Sequence, residues 1–356
     1  MRTNRNLNVF LIGAGRISSK HISAIDMLSD EGVNLVGVAE LEQQKLNHLK
    51  LANNVVKVRD YLDPEIYSNC DLISILTESG NHYNIAKNLL PLGIDLLIEK
   101  PVTLRVEQAL ELERLSRRYN SKIYVVKQNR YNAAIQTCNT LIENGFIGDL
   151  NVGTIRVRWC RDQDYYNLAD WRGTWKHDGG VLSNQAIHHI DLLQKYMGPV
   201  QAVTAFSGAF GVDIETEDTV VACLKFQSGA LGALEVTTSV RPENLEGSLS
   251  LLGKKGTIVI GGHAVNKISV AKTVDMNEEI LKSVDKNSDT SDVYGTGHTE
   301  VYRNILLDKS GEASEVVTIS EAIKSLKIIH MIYRSIETNT VIYFDDPDIN
   351  SLRIGK

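Results

Sequence analysis

Long apolar runs are missing from this 356-residue chain. None reaches the ~18 residues that would cross a bilayer, so a spanning helix is not expected. Excess positive charge is missing too: the formal net charge is −6, which argues against nucleic acid or a membrane surface as partner and leaves room only for a local basic cleft. The opening MRTNRNLNVFLIGAG passes from a short polar arm into a strand pattern without a signal-peptide core, and a cytoplasmic protein is expected. Cysteine is sparse. Cys70, Cys138, Cys160 and Cys223 form no CxxC pair and stand at no metal-ligand spacing with histidine, so they read as buried, reduced thiols. No internal repeat and no metal cluster is visible, and no metal is expected.

What is present fits two domains, because the length exceeds what one hydrophobic core usually serves. In the first third, NVFLI (8–12), LVGVAE (35–40), DLISILTE (71–78), IDLLIE (94–99) and KIYVVKQ (122–128) alternate with helix-length segments. Near-continuous Val, Ile and Leu in such runs predicts a parallel sheet covered on both faces, in a doubly wound α/β domain over residues 1–128. Its ligand belongs at the carboxyl ends of the strands. Gly13 and Gly15 follow the first strand as GxGxxS, with Ser18 where glycine or alanine is usual. That turn allows a pyrophosphate to approach a helix N-terminus. Glu40 ends the second strand, where a carboxylate accepts hydrogen bonds from ribose hydroxyls and repels a 2'-phosphate, so NAD is expected over NADP.

Residues 129–356 are expected to form a substrate-binding and oligomerisation α+β domain with a large, mostly antiparallel sheet. VTAFSGAF, DTVVACLKFQ, ALGALEVTT, EGSLSLLG and GTIVIGG read as strands, with turns at Gly229 and between Gly253 and Gly256, and ISEAIKSLKIIHMIYRSI as a final helix. In VLSNQAIHHIDLLQKYMG, the spacing puts Asn184, His188 and Asp191 on one helical face and turns His189 away as a structural histidine. A neutral histidine can take the proton released when a secondary alcohol is oxidised.

GAGRIS, ILTESGNHYNIAKNLL, EKP (99–101), QNRYN (128–132) and GGVLSNQAIHHIDLL (179–193) together resemble the oxidoreductase superfamily that includes glucose-fructose oxidoreductase and inositol dehydrogenase. The tract from Trp159 to Leu193 looks like its branch of UDP-N-acetylglucosaminuronate 3-dehydrogenases, in which asparagine tends to replace aspartate at the position of Asn184. This resemblance implies an NAD-dependent enzyme that oxidises the C3 hydroxyl of a UDP-linked N-acetyl sugar uronate, yielding a keto sugar for an aminotransferase in cell-surface glycan synthesis. It also implies a homodimer or homotetramer built through the large sheet. Lys100 and His188 would be the catalytic pair, His188 as base and Lys100 as electrostatic partner, with the roles exchangeable. Gly13, Gly15, Arg16, Ile17, Glu40, Thr77, Asn81, His82, Glu99, Lys100 and Gln128 would face the dinucleotide, across a turn that often holds a cis peptide before Pro101.

Around the substrate, Arg130, Tyr131 and Asn132 lie at the expected domain junction, where Arg130 could equally be held in a salt bridge. Arg158 offers a fork for carboxylate or phosphate, or stands on an exposed sheet face at a subunit contact. Trp171, Arg172 and Trp175 lie in an aromatic loop without helical or strand periodicity, Asn184 and Asp191 on the helix, where Asp191 could instead cap a neighbouring element, and His298 in the loop YGTGH, at the nucleotide or in solvent. The alternatives are the same hydride chemistry on a free sugar, an inositol or a keto nucleotide sugar, and a non-catalytic dinucleotide-binding protein.

Overall fold

The computed structural model describes residues 6–274 and 297–356, which divide into two compact units. The first holds a six-stranded, all-parallel sheet in the order β3-β2-β1-β4-β5-β6. Its strands are β1 (Leu7–Ile12), β2 (Val33–Ala39), β3 (Val56–Val58), β4 (Leu72–Ile75), β5 (Asp95–Ile98) and β6 (Ile123–Val125). This is the doubly wound dinucleotide-binding order, whose direction reverses beside β1. All four residues of β4 are buried, as a parallel strand covered on both faces requires. β3 is short and largely exposed, so it carries no apolar run that the sequence could betray. Helix α1 (Ser18–Met27) follows β1, α2 (Gln43–His48) follows β2, α3 (His82–Leu89) follows β4, and α4 (Val106–Arg118) runs between β5 and β6.

The helix Gly297–Lys309 also belongs to this first unit and packs beside α1, with Val301, Tyr302 and Ile305 buried. A single boundary after residue 128 omits that return. The return is held by contacts with partners more than two hundred residues away, such as Tyr302 with His21 and Ser74. His298 therefore stands in the first turn of a helix and is 3% exposed, not in a loop; Tyr294 to Thr296 of YGTGH lie outside the described residues.

The second unit holds an eight-stranded sheet, β13-β12-β11-β7-β10-β9-β8-β14, in which only β7 (Leu150–Arg158) and β10 (Leu231–Thr237) pair in parallel. The others are β8 (Val200–Gly208), β9 (Thr219–Phe226), β11 (Glu246–Gly253), β12 (Gly256–Gly261), β13 (Lys267–Thr273) and β14 (Ile342–Tyr343). Burial alternates residue by residue along β9, so one face is core and the other is open. Helices α5 (Ala133–Glu143), α6 (Gln163–Asn167) and α7 (Ile187–Met197) precede β8, and α7 lies on β7. Gly153 lets α7 approach: a Cβ there would sit 2.6 Å from the Met197 side chain. Cys223 lies on the open face of β9 and is exposed, against the expectation of a buried thiol; Cys138 is buried, and Cys70 and Cys160 are partly so.

Candidate active site

In the first unit the glycine turn is built for close approach. Gly13 has φ +99°, and a Cβ on it would meet the backbone of Leu76 and Thr77 at 3.1–3.2 Å. A Cβ on Gly15 would meet nothing within 4 Å, so open space lies over the turn where a pyrophosphate would bind. Helix α1 starts with no acidic residue in its first turn and no side-chain cap, which suits an anion, while the Ser18 and Lys20 N–H groups donate to the Gly15 and Ile17 carbonyls. Arg16 is exposed and Ile17 precedes the first helical residue. Glu40 is fixed at the end of β2: its Oε2 accepts the Ala14 N–H at 2.8 Å and its Oε1 the Glu42 N–H at 3.0 Å. Each oxygen retains a lone pair for a ribose hydroxyl. These features fit a dinucleotide.

At the neighbouring strand ends, Asn81 donates to the Glu78 carboxylate. The two ring nitrogens of buried His82 face the carbonyl oxygens of Pro101 at 2.7 Å and Thr77 at 2.9 Å. His82 thus straps the end of β4 to the turn after β5. The Lys100–Pro101 peptide is cis, and the Lys100 N–H donates to Glu99 Oε2 at 2.9 Å. Gln128 is buried beyond β6, and a Cβ on Gly297 would sit 2.5 Å from its carbonyl oxygen.

In the second unit, the segment carrying His188 begins after Gly180 and runs through a π-helical turn, Leu182–Ala186, before α7. Asn184 lies in that turn, so its spacing to His188 is not the plain α-helical one that the sequence predicts. Such bulges concentrate at functional sites. Asn184 donates through Nδ2 to Asp178 and accepts from Gln185 at 3.2 Å, while Asp178 also takes the Gly173 N–H at 2.9 Å. Gln185 and Arg172 both donate to the Tyr165 hydroxyl, at 3.0 and 2.5 Å, and the Arg172 guanidinium lies over the Tyr165 and Trp171 rings at 4.4 and 4.7 Å. Trp171, Arg172 and Asn184 are thereby joined through Tyr165, Gln185 and Asp178. His188 is 7% exposed; His189 is fully buried, edge-on to Trp159, and burial pushes its pKa down to about 4.

Two family models match the chain: the oxidoreductase family NAD-binding Rossmann fold over residues 7–127 and the oxidoreductase family C-terminal alpha/beta domain over 139–344. The chain belongs to the Gfo/Idh/MocA oxidoreductase family. Its cofactor is NAD. The chain is similar to the WlbA dehydrogenase of Bordetella pertussis, solved with NADH and UDP-GlcNAcA, at 35% identity and TM-score 0.89 over 96% of this chain and 99% of that one. WlbA of Chromobacterium violaceum, solved with the same two ligands, is 31% identical at TM-score 0.88, over 97% of this chain and 98% of that one. Myo-inositol 2-dehydrogenase of Thermotoga maritima is 23% identical over 64% of this chain and 68% of its own length.

In this Gfo/Idh/MocA member several residues offered above as substrate contacts are engaged elsewhere. Arg130 and Asp191 form a two-pronged ion pair, at 2.7 and 3.0 Å, with side chains 12% and 1% exposed. Asn132 stands at the N-cap position of α5 without capping it and donates through Nδ2 to the Ala264 carbonyl at 3.0 Å, and Tyr131 beside it is partly exposed. Arg158 lies on the open face of the sheet, opposite the face that α7 covers, and forks onto Glu235 at 2.6 and 2.7 Å with Glu246 at 3.1 Å. Trp175 is core: it is 9% exposed and edge-on to Tyr333. The cavity of about 200 Å³ that it borders is lined by Glu215, Glu217 and Glu337 against one cation, Arg353, the wrong sign for a uronate or diphosphate. His298 contacts Glu99 at 3.5 Å and His21 edge-on. Asp178, Glu217, Tyr302 and His21 escape the sequence pattern: the last three because their partners are distant in the chain, and Asp178 although its partners Gly173 and Asn184 are near. His21, in GAGRISSKH, was the one visible signal.

Proposed function

We propose that the protein oxidises the C3 hydroxyl of a UDP-linked N-acetyl sugar uronate, UDP-N-acetylglucosaminuronate, to the 3-keto sugar. The likeness to WlbA over nearly the full length of both chains is the observation that carries this reading. NAD, when bound, supplies the hydride acceptor. His188 takes the hydroxyl proton as the C–H electron pair leaves carbon, and the Lys100 ammonium donates a hydrogen bond to the oxygen as negative charge develops there. Asn184 has no proton to exchange, and its bond to Asp178 holds it to orient a sugar hydroxyl. Trp171 and Arg172 supply an aromatic and cationic wall for the sugar nucleotide. The enzyme assembles as a homo-oligomer through the open face of its large sheet.

A second reading, dehydrogenation of a free sugar or inositol, is favoured by one observation: Arg130 and Arg158 are already neutralised by carboxylates and so are poor partners for a diphosphate. NADH absorbance on mixing enzyme and NAD with UDP-N-acetylglucosaminuronate, UDP-N-acetylglucosamine, glucose or inositol tests the two. Turnover confined to the uronate supports the proposal, and turnover confined to free polyols overturns it. In Lys100→Ala and His188→Ala we expect kcat to fall by ~10²- to ~10⁴-fold with NAD affinity retained; normal turnover in both would remove them from the chemistry.

A further inference from the structure

Beneath the turn that carries Lys100 lies a row of buried polar groups. Ser74, Tyr302 and His21 are fully buried and Glu99 is 6% exposed. Ser74 Oγ is 3.1 Å from Tyr302 Oη, which is 2.7 Å from His21 Nδ1; His21 Nε2 is 3.1 Å from Glu99 Oε1, and Glu99 Oε2 accepts the Lys100 N–H at 2.9 Å.

The proton inventory gives this row one direction. Burial by itself would raise the Glu99 carboxyl, but the hydrogen bonds from His21 and His298 hold it well below the usual range, so it is ionised and only accepts. Burial lowers His21, which is therefore neutral and has one N–H. That N–H must be on Nε2, because a carboxylate faces it. Nδ1 then accepts, so the Tyr302 hydroxyl donates to it, and the Tyr302 oxygen takes the Ser74 proton. Burial keeps the phenol protonated. Every group in the row is satisfied in this single arrangement, which ends on the backbone of Lys100.

We propose that His21 and Tyr302 are positioning residues for Lys100: through Glu99 they fix the backbone from which the lysine reaches the substrate oxygen. The proposal rests on the reading that Lys100 contacts the reacting hydroxyl. The same neighbourhood has a rival occupant, since ligand atoms of His21, Glu99 and His298 lie within 4.8 Å of one another, a spacing that a zinc ion could bridge. The two differ at one proton. A metal needs the Nε2 lone pair of His21 and moves its N–H to Nδ1, whereas the positioning row needs the N–H on Nε2.

The experiment uses the full chain with three variants, read by histidine and backbone amide NMR, steady-state kinetics and Tm. Long-range ¹H–¹⁵N spectra of histidine-labelled protein are expected to show His21 neutral with its proton on Nε2. A proton on Nδ1, or conversion to that form on adding one equivalent of Zn²⁺, would overturn the proposal in favour of a metal site. His21→Leu keeps volume but loses donor and acceptor, Tyr302→Phe loses the donor alone, and His21→Gln keeps an N–H for Glu99 and a carbonyl for Tyr302. With whichever sugar the wild type oxidises, kcat is expected to fall ~10- to ~100-fold in His21→Leu and Tyr302→Phe at unchanged KM, and to be largely rescued in His21→Gln. A merely structural role would lower Tm without that rescue. Wild-type turnover in both disrupted variants would sink the proposal. The tautomer and the Lys100 amide resonance, expected to shift in His21→Leu but not in His21→Gln, need no substrate, so they stand even if the uronate is not turned over.

Discussion

Two buried residues of the second unit, Glu217 and His189, titrate in opposite senses. Glu217 is 6% exposed and accepts at Oε1 from the Val181 N–H at 2.8 Å and the Tyr333 hydroxyl at 2.5 Å; burial pushes its carboxyl up to about 7. An acid raised on folding lends its stability below the unfolded value, here about 4.5, and loses it as pH rises through about 7. His189, held at about 4, does the reverse: its contribution is complete above 6.5 and is lost as pH falls. Each difference corresponds to about 3 kcal/mol across its window, so between roughly pH 4.5 and 6.5 the two offset one another. Glu217→Gln removes one arm. The stability of this variant relative to wild type, from urea unfolding, is expected to increase by about 2–3 kcal/mol between pH 5 and pH 8. A pH-independent difference would show that Glu217 is ionised throughout. His82 belongs to this scale too: two carbonyl oxygens face a ring that burial drives towards the neutral form, which satisfies one of them at a time.

Among elements, the segment leading into α7 depends on a glycine for geometry and on remote side chains for its first N–H groups. Gly180 has φ +85°, and a Cβ there would sit 2.3 Å from Tyr333 Oη and 2.8 Å from Glu217 Oε1. Val181 and Leu182 donate to those same two side chains, which serve as the cap that the local sequence lacks. Gly180→Ala is therefore expected to cost about 2–4 kcal/mol in urea unfolding and to lower kcat as well, because the displaced segment carries Asn184 and His188. An alanine variant as stable and active as wild type would mean that Tyr333 and Glu217 yield freely.

The same segment shows what sequence patterns reach. β1, β4 and β5 were legible because burial on both faces demands unbroken apolar runs, and Gly13, Gly15 and Glu40 because a dinucleotide turn demands them in fixed order. The π-turn at Leu182–Ala186 was not, since its extra residue leaves the apolar spacing close to helical. Arg130 with Asp191 and Arg158 with Glu235 were not either. An ion-paired arginine and one awaiting an anion look alike until the partner, 61 or 77 residues away, is placed.

For the whole molecule, the open face of the eight-stranded sheet is where the proposed homo-oligomer would form. Phe206 on β8 is directly opposite Val221 on β9, and Leu231 opposite Lys225, on the face that no described helix covers. Phe206 is 72%, Val221 50% and Leu231 57% exposed, an arrangement costly to leave in water. Beside it, Arg158 with Glu235 and Glu246 forms a charged ladder of both signs that a copy related by a two-fold axis can meet with opposite charge. A stable interface needs roughly 1,000 Å² or more, which residues from several strands of one such face can supply together. Sedimentation equilibrium is expected to give a multiple of 39.5 kDa for wild type and the single-chain mass for Phe206→Glu, with little change in Tm because the side chain is exposed within one chain. A wild type that sediments as one chain would leave this face to another partner. A Phe206→Glu variant that stays oligomeric would place the interface on another surface.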